Sequence, residues 1–194
     1  MDDRSRYATF TAMADARNPE EWEPVAIAGL KHQASQADRV LEHLRLLAGD
    51  HGGYAVNRLT HSLQTATRAH RDGRDEEYVV ATLLHDIGDE LAPYTHGEMT
   101  GAILKPFVRP ELVWMVKYHG VFQLYYYAHH SGGDRNVRDR WKDSPHYDLT
   151  VEFCEKYDQN CFDPDYDSLP AAFFEPMVRR VFADAKYLTG DEGV

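Results

Sequence analysis

Val79-Val80-Ala81-Thr82-Leu83-Leu84-His85-Asp86 is the stretch whose reading decides the fold. Its first six residues are too apolar for anything but a core element, and Asp75 upstream is a natural helix N-cap. Adjacent His and Asp side chains cannot share one face of a helix unless the helix is ending or bent. An ionised Asp at the end of an apolar helix is costly unless it is paired or metal-bound. The dipeptide therefore reads as two groups carried to a common point by a helix that stops.

Other ligand types stand at intervals around it: His61 upstream, His96 and His119 downstream, and a late carboxylate, Asp158. Four neutral imidazoles and two carboxylates suit two adjacent first-row metal ions. The chain holds 11 histidines in 194 residues, so a lone His on an apolar helix face is ordinarily structural. The His-Asp pair is what shifts that weighting. His32, His43, His70, His146 and the adjacent His129-His130 are left outside the site.

Outward from this stretch the pattern is helical throughout. Ser35 to Leu47 carries an apolar stripe at Val40, Leu41, Leu44 and Leu47, broken by Gly52-Gly53. Asn57 caps a helix with Leu59, Leu63, Ala66 and Ala69 on one face, ending near Gly73. Asp75 starts the next, through His85. Thr95 precedes one through Leu104, and Pro110 opens one running to about His119. Residues 120–147 are the least regular. Thr150 to Asn160 is a helix, and Pro170 to Lys186 a terminal one, burying Phe173, Phe174, Met177, Val178 and Val181. Alternating strand patterns and internal repeats are absent. The expectation is an all-α fold of about seven helices, with residues 1–33 an irregular segment packing on a single domain of residues 34–190. Within that segment, Asn18-Pro19-Glu20-Glu21 looks like a helix start.

Composition sets bounds. The net charge of −11 argues against nucleic acid or an anionic membrane surface as a partner. It leaves room for an anionic small molecule, because metal ions add local positive charge. Mean hydropathy is −0.58, and no stretch is apolar for a membrane-spanning length. The start, Met1-Asp2-Asp3-Arg4-Ser5-Arg6, has no signal-peptide character. Cys154 and Cys161 read as two reduced thiols rather than a disulfide. Together these point to a cytoplasmic protein and leave room for a small-molecule substrate; oligomeric state is not readable.

The local motifs Leu59-Thr60-His61-Ser62-Leu63-Gln64, Leu83-Leu84-His85-Asp86-Ile87-Gly88, His96-Gly97-Glu98 with Gly101-Ala102, and Tyr118-His119 resemble the HD-domain superfamily, over residues 51 to about 160. The resemblance implies a dinuclear centre: one ion on His61, His85, Asp86 and Asp158, the other on Asp86, His96 and His119, with Asp86 bridging. Two branches use such sites, the metal-dependent phosphohydrolases and the mixed-valent di-iron oxygenases. The chain looks closer to the second, which includes myo-inositol oxygenase and the oxygenases that cleave 1-hydroxy-2-ammonio-alkylphosphonates. The resemblance then implies two iron ions, Fe(II)/Fe(III), and O2 as co-substrate. A hydroxylated substrate chelates the irons, and O2-driven removal of hydrogen from the hydroxyl-bearing carbon leads to C–C or C–P cleavage. Hydrolytic relatives often carry a Lys three residues after the motif Asp; here that residue is Asp89.

Further residues are expected around the metals. By resemblance, Tyr54 or His51 serves as a lid over an open metal position; the alternative for Tyr54 is packing at a helix entry. Asp89, Gln123, Glu155 and Gln159 are expected to face the substrate from their spacing to the ligands, an acidic pair that would favour a substrate amine. Arg135, with Arg138 and Lys142 nearby, is the candidate for an anionic group. Of Tyr125-Tyr126-Tyr127, at most two could line an aromatic cage.

Overall fold

The computed structural model describes residues 7–49 and 51–188. Positions 1–6 of the expected N-terminal segment, and 50 and 189–190 of the expected domain, lie outside the described residues. The helices are α1 (Pro19–Ala34), α2 (Gln36–Leu46), α3 (Arg58–Arg71), α4 (Glu76–Leu84), α5 (His96–Leu104), α6 (Pro110–Tyr127), α7 (Tyr147–Phe153) and α8 (Ala171–Val181). No β-strand occurs among the described residues, as expected for an all-α protein.

Helix α4 is the centre. Asp75 Oδ1 accepts the Tyr78 amide at 3.1 Å and starts it. From Tyr78 to Leu84 every residue is buried. Helices α3, α6 and α8 pack around it, so truncating Leu83 or Leu84 to Ala would cost about 2–5 kcal/mol. Asn57 caps α3 through its side chain, as the sequence indicated. On α8, Phe174, Val178 and Val181 are buried while Phe173 is exposed. Among the described residues, no helix is long and apolar enough to cross a membrane.

Three segments differ from expectation. Residues 19–33 are not irregular but form α1, with Pro19 in its first turn and the Asn18 side chain accepting the Glu21 amide at 2.9 Å. Its apolar residues form no core stripe, because no residue of α1 is buried. Helix α6 runs on past His119 and Gly120 to Tyr127, followed by short 3₁₀ turns at Ala128–Ser131 and Val137–Trp141. The helix expected over 150–160 is α7 followed by a π-helical turn, Cys154–Asp158.

Candidate metal centre

Each candidate ligand sits where a helix starts, ends or changes pitch, His119 within α6 excepted. After Leu84 the chain unwinds into tight turns, closed by Ile87 N–H to Leu84 O at 2.9 Å and Asp89 N–H to Asp86 O at 3.0 Å. That unwinding lets the adjacent His85 and Asp86 face one point. His61 lies in the first turn of capped α3, and His96 opens α5. In the π turn, the Gln159 amide bonds Cys154 O five residues back at 3.1 Å. Such an extra residue per turn rotates the residues downstream of it and is frequent at functional sites; here it ends on Asp158.

Two glycines set the approach of His96. A Cβ at Gly97 would meet Lys117 O at 2.6 Å and Val116 O at 2.9 Å, and one at Gly88 would meet His96 O at 2.7 Å. No larger residue would let α5 lie this close to α6 and to the turn after α4.

The six residues converge on Asp86. Its Oδ2 lies 3.6 Å from His61 Nε2 and 3.4 Å from His85 Nε2. Its Oδ1 lies 3.1 Å from His119 Nε2 and 3.5 Å from His96 Nε2. Asp158 Oδ1 joins the first pair, 3.2 Å from His61 Nε2 and 3.7 Å from His85 Nε2. The carboxylate of Asp86 thus divides four imidazoles two and two. Ligands about 2.0–2.2 Å from a common ion stand roughly 3.0–3.6 Å apart at octahedral or tetrahedral angles, which is the spacing found.

Hydrogen bonding on the outer side of the rings reinforces this. His61 Nδ1 donates to Cys161 O (3.1 Å), His85 Nδ1 to Thr82 O (2.7 Å) and His119 Nδ1 to Val116 O (2.6 Å). Neutral rings fixed in that way turn their Nε2 lone pairs inward. Yet His61 and His85 bring these nitrogens within 3.1 Å of each other, and His96 and His119 within 3.2 Å. Two lone pairs at that distance repel unless a cation lies between them. Asp158 Oδ2 is buried with no hydrogen-bond partner among the described residues, a further acceptor in want of positive charge. The donor set therefore fits metal ions: buried or half-buried His and Asp groups that could hold one occur as His61–His85–Asp86 and Asp86–His96–His119, among others.

Electrostatics point the same way. Burial opposes ionisation of Asp86, but His85, His119 and His61 outweigh it and hold the carboxyl well below its usual range. Asp158 is likewise depressed, by His61 and His85 against burial. Both carboxylates are thus ionised before any metal arrives. His61 and His85 are raised, the nearby Asp158 and Asp86 outweighing burial. A proton and a metal ion compete for those nitrogens, so loading releases protons. His96 is lowered, by burial and by the neighbouring His119.

A cavity of about 400 Å³ opens onto these groups. Of the other predicted residues, Tyr54, Asp89, Gln123 and Gln159 line it, as do His51, Tyr126 and Tyr127. The Tyr54 ring stacks on Phe162 at 4.4 Å, and Phe162 stacks on His61 at 4.6 Å. Two predicted residues fall outside. Glu155 is exposed, because the π turn breaks the spacing that would have set it beside Asp158. Arg135 does not line the cavity either; it lies over the Tyr125 ring at 4.2 Å, with Arg138 at 3.7 Å. Cys154 and Cys161 are buried free thiols. Burial pushes the Cys161 thiol up to about 12, and its Sγ donates to the Tyr157 carbonyl.

Sequence reasoning missed several cavity residues, Phe162 and Arg58 among them. Phe162 gave no signal. Arg58 did, standing three residues before His61 and so on its helix face; it is ion-paired to Asp89. No protein-family model matches the chain, and no curated protein matches it.

Proposed function

We propose that the chain is an HD-domain protein whose six ligands hold two iron ions, Fe(II)/Fe(III), and that it is an O2-dependent oxygenase. The observation that carries this reading is the carboxylate of Asp86, one oxygen toward each pair of imidazoles. His61, His85, Asp158 and Asp86 Oδ2 would hold one ion, and His96, His119 and Asp86 Oδ1 the other. Imidazole and hard carboxylate donors without thiolate suit iron. Bound there, the ions supply the redox chemistry with O2 that side chains lack.

The three-donor half leaves coordination positions for a chelating substrate hydroxyl, beside a cavity sized for a small polar molecule. Gln123 and Gln159 offer amide hydrogen bonds to its polar groups, and the Phe162 ring keeps water from His61. The reaction is cleavage of a C–P or C–C bond in a hydroxylated substrate, such as a 1-hydroxy-2-(trimethyl)ammonio-alkylphosphonate. A metal-dependent phosphohydrolase acting on a nucleotide or phosphate ester is the second reading. It is favoured by Arg58, which puts a cation in the cavity despite the absence of Lys at position 89.

The test is O2 consumption by iron-loaded protein over a panel of hydroxyphosphonates and polyols, without added reductant. Substrate-dependent uptake supports the oxygenase. Phosphate release under anaerobic conditions with Mn(II) or Co(II) sufficing, and no uptake, would turn the assignment to the hydrolase.

A further inference from the structure

The acidic pair expected to select a cationic substrate is absent as a pair. Glu155 is exposed, and Asp89 is engaged on both oxygens: Oδ2 pairs with Arg58 Nη1, and Oδ1 lies 3.1 Å from His96 Nδ1. Among the described residues lining the cavity, Arg58 is the one Lys or Arg. With an Fe(II)/Fe(III) pair bound, Asp86, Asp158 and Asp89 would not cancel the positive charge, and Arg58 adds to it. The loaded cavity is therefore an anion-attracting site in a protein of net charge −11.

The surroundings of Arg58 fit recognition better than stabilisation. Its side chain is 35 % exposed while that of Asp89 is 7 % exposed, so the pair is anchored at its buried acidic end and the guanidinium reaches toward solvent. Asp89 takes one edge of the guanidinium. The other nitrogen, Nη2, sits against Gly52, 3.4 Å from where a Cβ would stand. Gly52 has φ +54°, in the left-handed region, so a side chain there would be strained as well as close to that nitrogen. A planar guanidinium held along one edge can take an oxyanion on another, a geometry Lys cannot copy.

We propose that Arg58 is a specificity-determining residue that binds the anionic group (phosphonate, phosphate or carboxylate) of a small substrate whose other end reaches the metals. The proposal rests on reading the six ligands as a metal centre. Asp89 is a positioning residue in it, holding Arg58 on one oxygen.

The experiment is calorimetric titration of iron-loaded protein with inorganic phosphate, with metal content measured on the same samples, for wild type, Arg58→Met and Arg58→Lys. The expected result is unchanged metal content in all three. Phosphate affinity should fall at least about tenfold in Arg58→Met, as for loss of a charge-assisted hydrogen bond, and recover in part in Arg58→Lys. Equal phosphate affinity in wild type and Arg58→Met, whether through binding to the metals alone or through no binding at all, overturns the proposal. So does loss of metal in Arg58→Met, which would make Arg58 a support for the ligands. A wild type that takes up no metal overturns the metal-centre reading instead.

Discussion

On one side of Asp86, the side chains of His61, His85 and Asp158 are 5 %, 0 % and 3 % exposed, and both ring Nδ1 atoms are tied to backbone carbonyls. On the other side His96 is 24 % exposed, and its Nδ1 faces the carboxylate of Asp89 rather than a peptide oxygen. The first half has four donors and the second three; both border the cavity, the first through His61 and Asp158 and the second through His96 and His119. A closed ligand set favours a tightly held ion, and an open one leaves room for exogenous ligands. If the proposed two-metal reading holds, the inner ion would be the more tightly held and the outer one would meet the substrate.

That asymmetry can be broken one half at a time. His85→Ala should weaken the inner ion by more than about 100-fold, beyond the loss usual for an outer-shell partner. His96→Ala should leave the inner ion in place and remove the outer one. Metal titrations of both variants check this; equal loss of both ions from His96→Ala would mean the halves do not bind separately. Gly97→Val should have a smaller effect of the same kind. It forces α5 off α6, displacing His96 while His61 and His85 keep their backbone anchors. The measure is the ratio of weak to tight metal affinity, which should widen in the variant.

The smallest effect lies outside the centre and serves as its control. Burial raises Glu77, but Lys186 and the backbone and charge of Arg109 more than offset this, so its carboxyl titrates below the ordinary range. A depressed folded value means the stabilisation is present above the unfolded pKa of about 4.3 and fades as pH falls through the folded value. Glu77→Gln should therefore melt below wild type at pH 7, with the gap closing toward pH 3, and without change in metal content. A gap independent of pH would show that charge is not what Glu77 contributes.

Much of the fold and of the centre was legible in the sequence, for local reasons. The caps Asn57 and Asp75 and the run from Val79 to Leu84 carry their structure in the nearest few residues. The six ligand candidates were readable because each is of metal-binding type and lies at or near an apolar helix face. What stayed hidden depends on contacts distant in sequence or on irregular pitch. Gly120 looked like a helix end, yet it lies inside α6, where a Cβ would meet His96 Cε1 at 3.6 Å. The π turn after Phe153 inserts a residue that α-helical counting cannot foresee, which misplaced Glu155. Arg135 is fixed by the Tyr125 ring, and Phe162 by stacking between Tyr54 and His61, pairings that no periodicity announces.

The central claim is that Asp86 joins two metal ions, and the most direct measurement is metal content per chain after anaerobic iron loading, for wild type and Asp86→Ala. The account predicts about two irons in wild type, as in a two-metal site, and neither ion held at comparable affinity in Asp86→Ala. A wild type that binds no more than one ion, or an Asp86→Ala variant that keeps both, would contradict it.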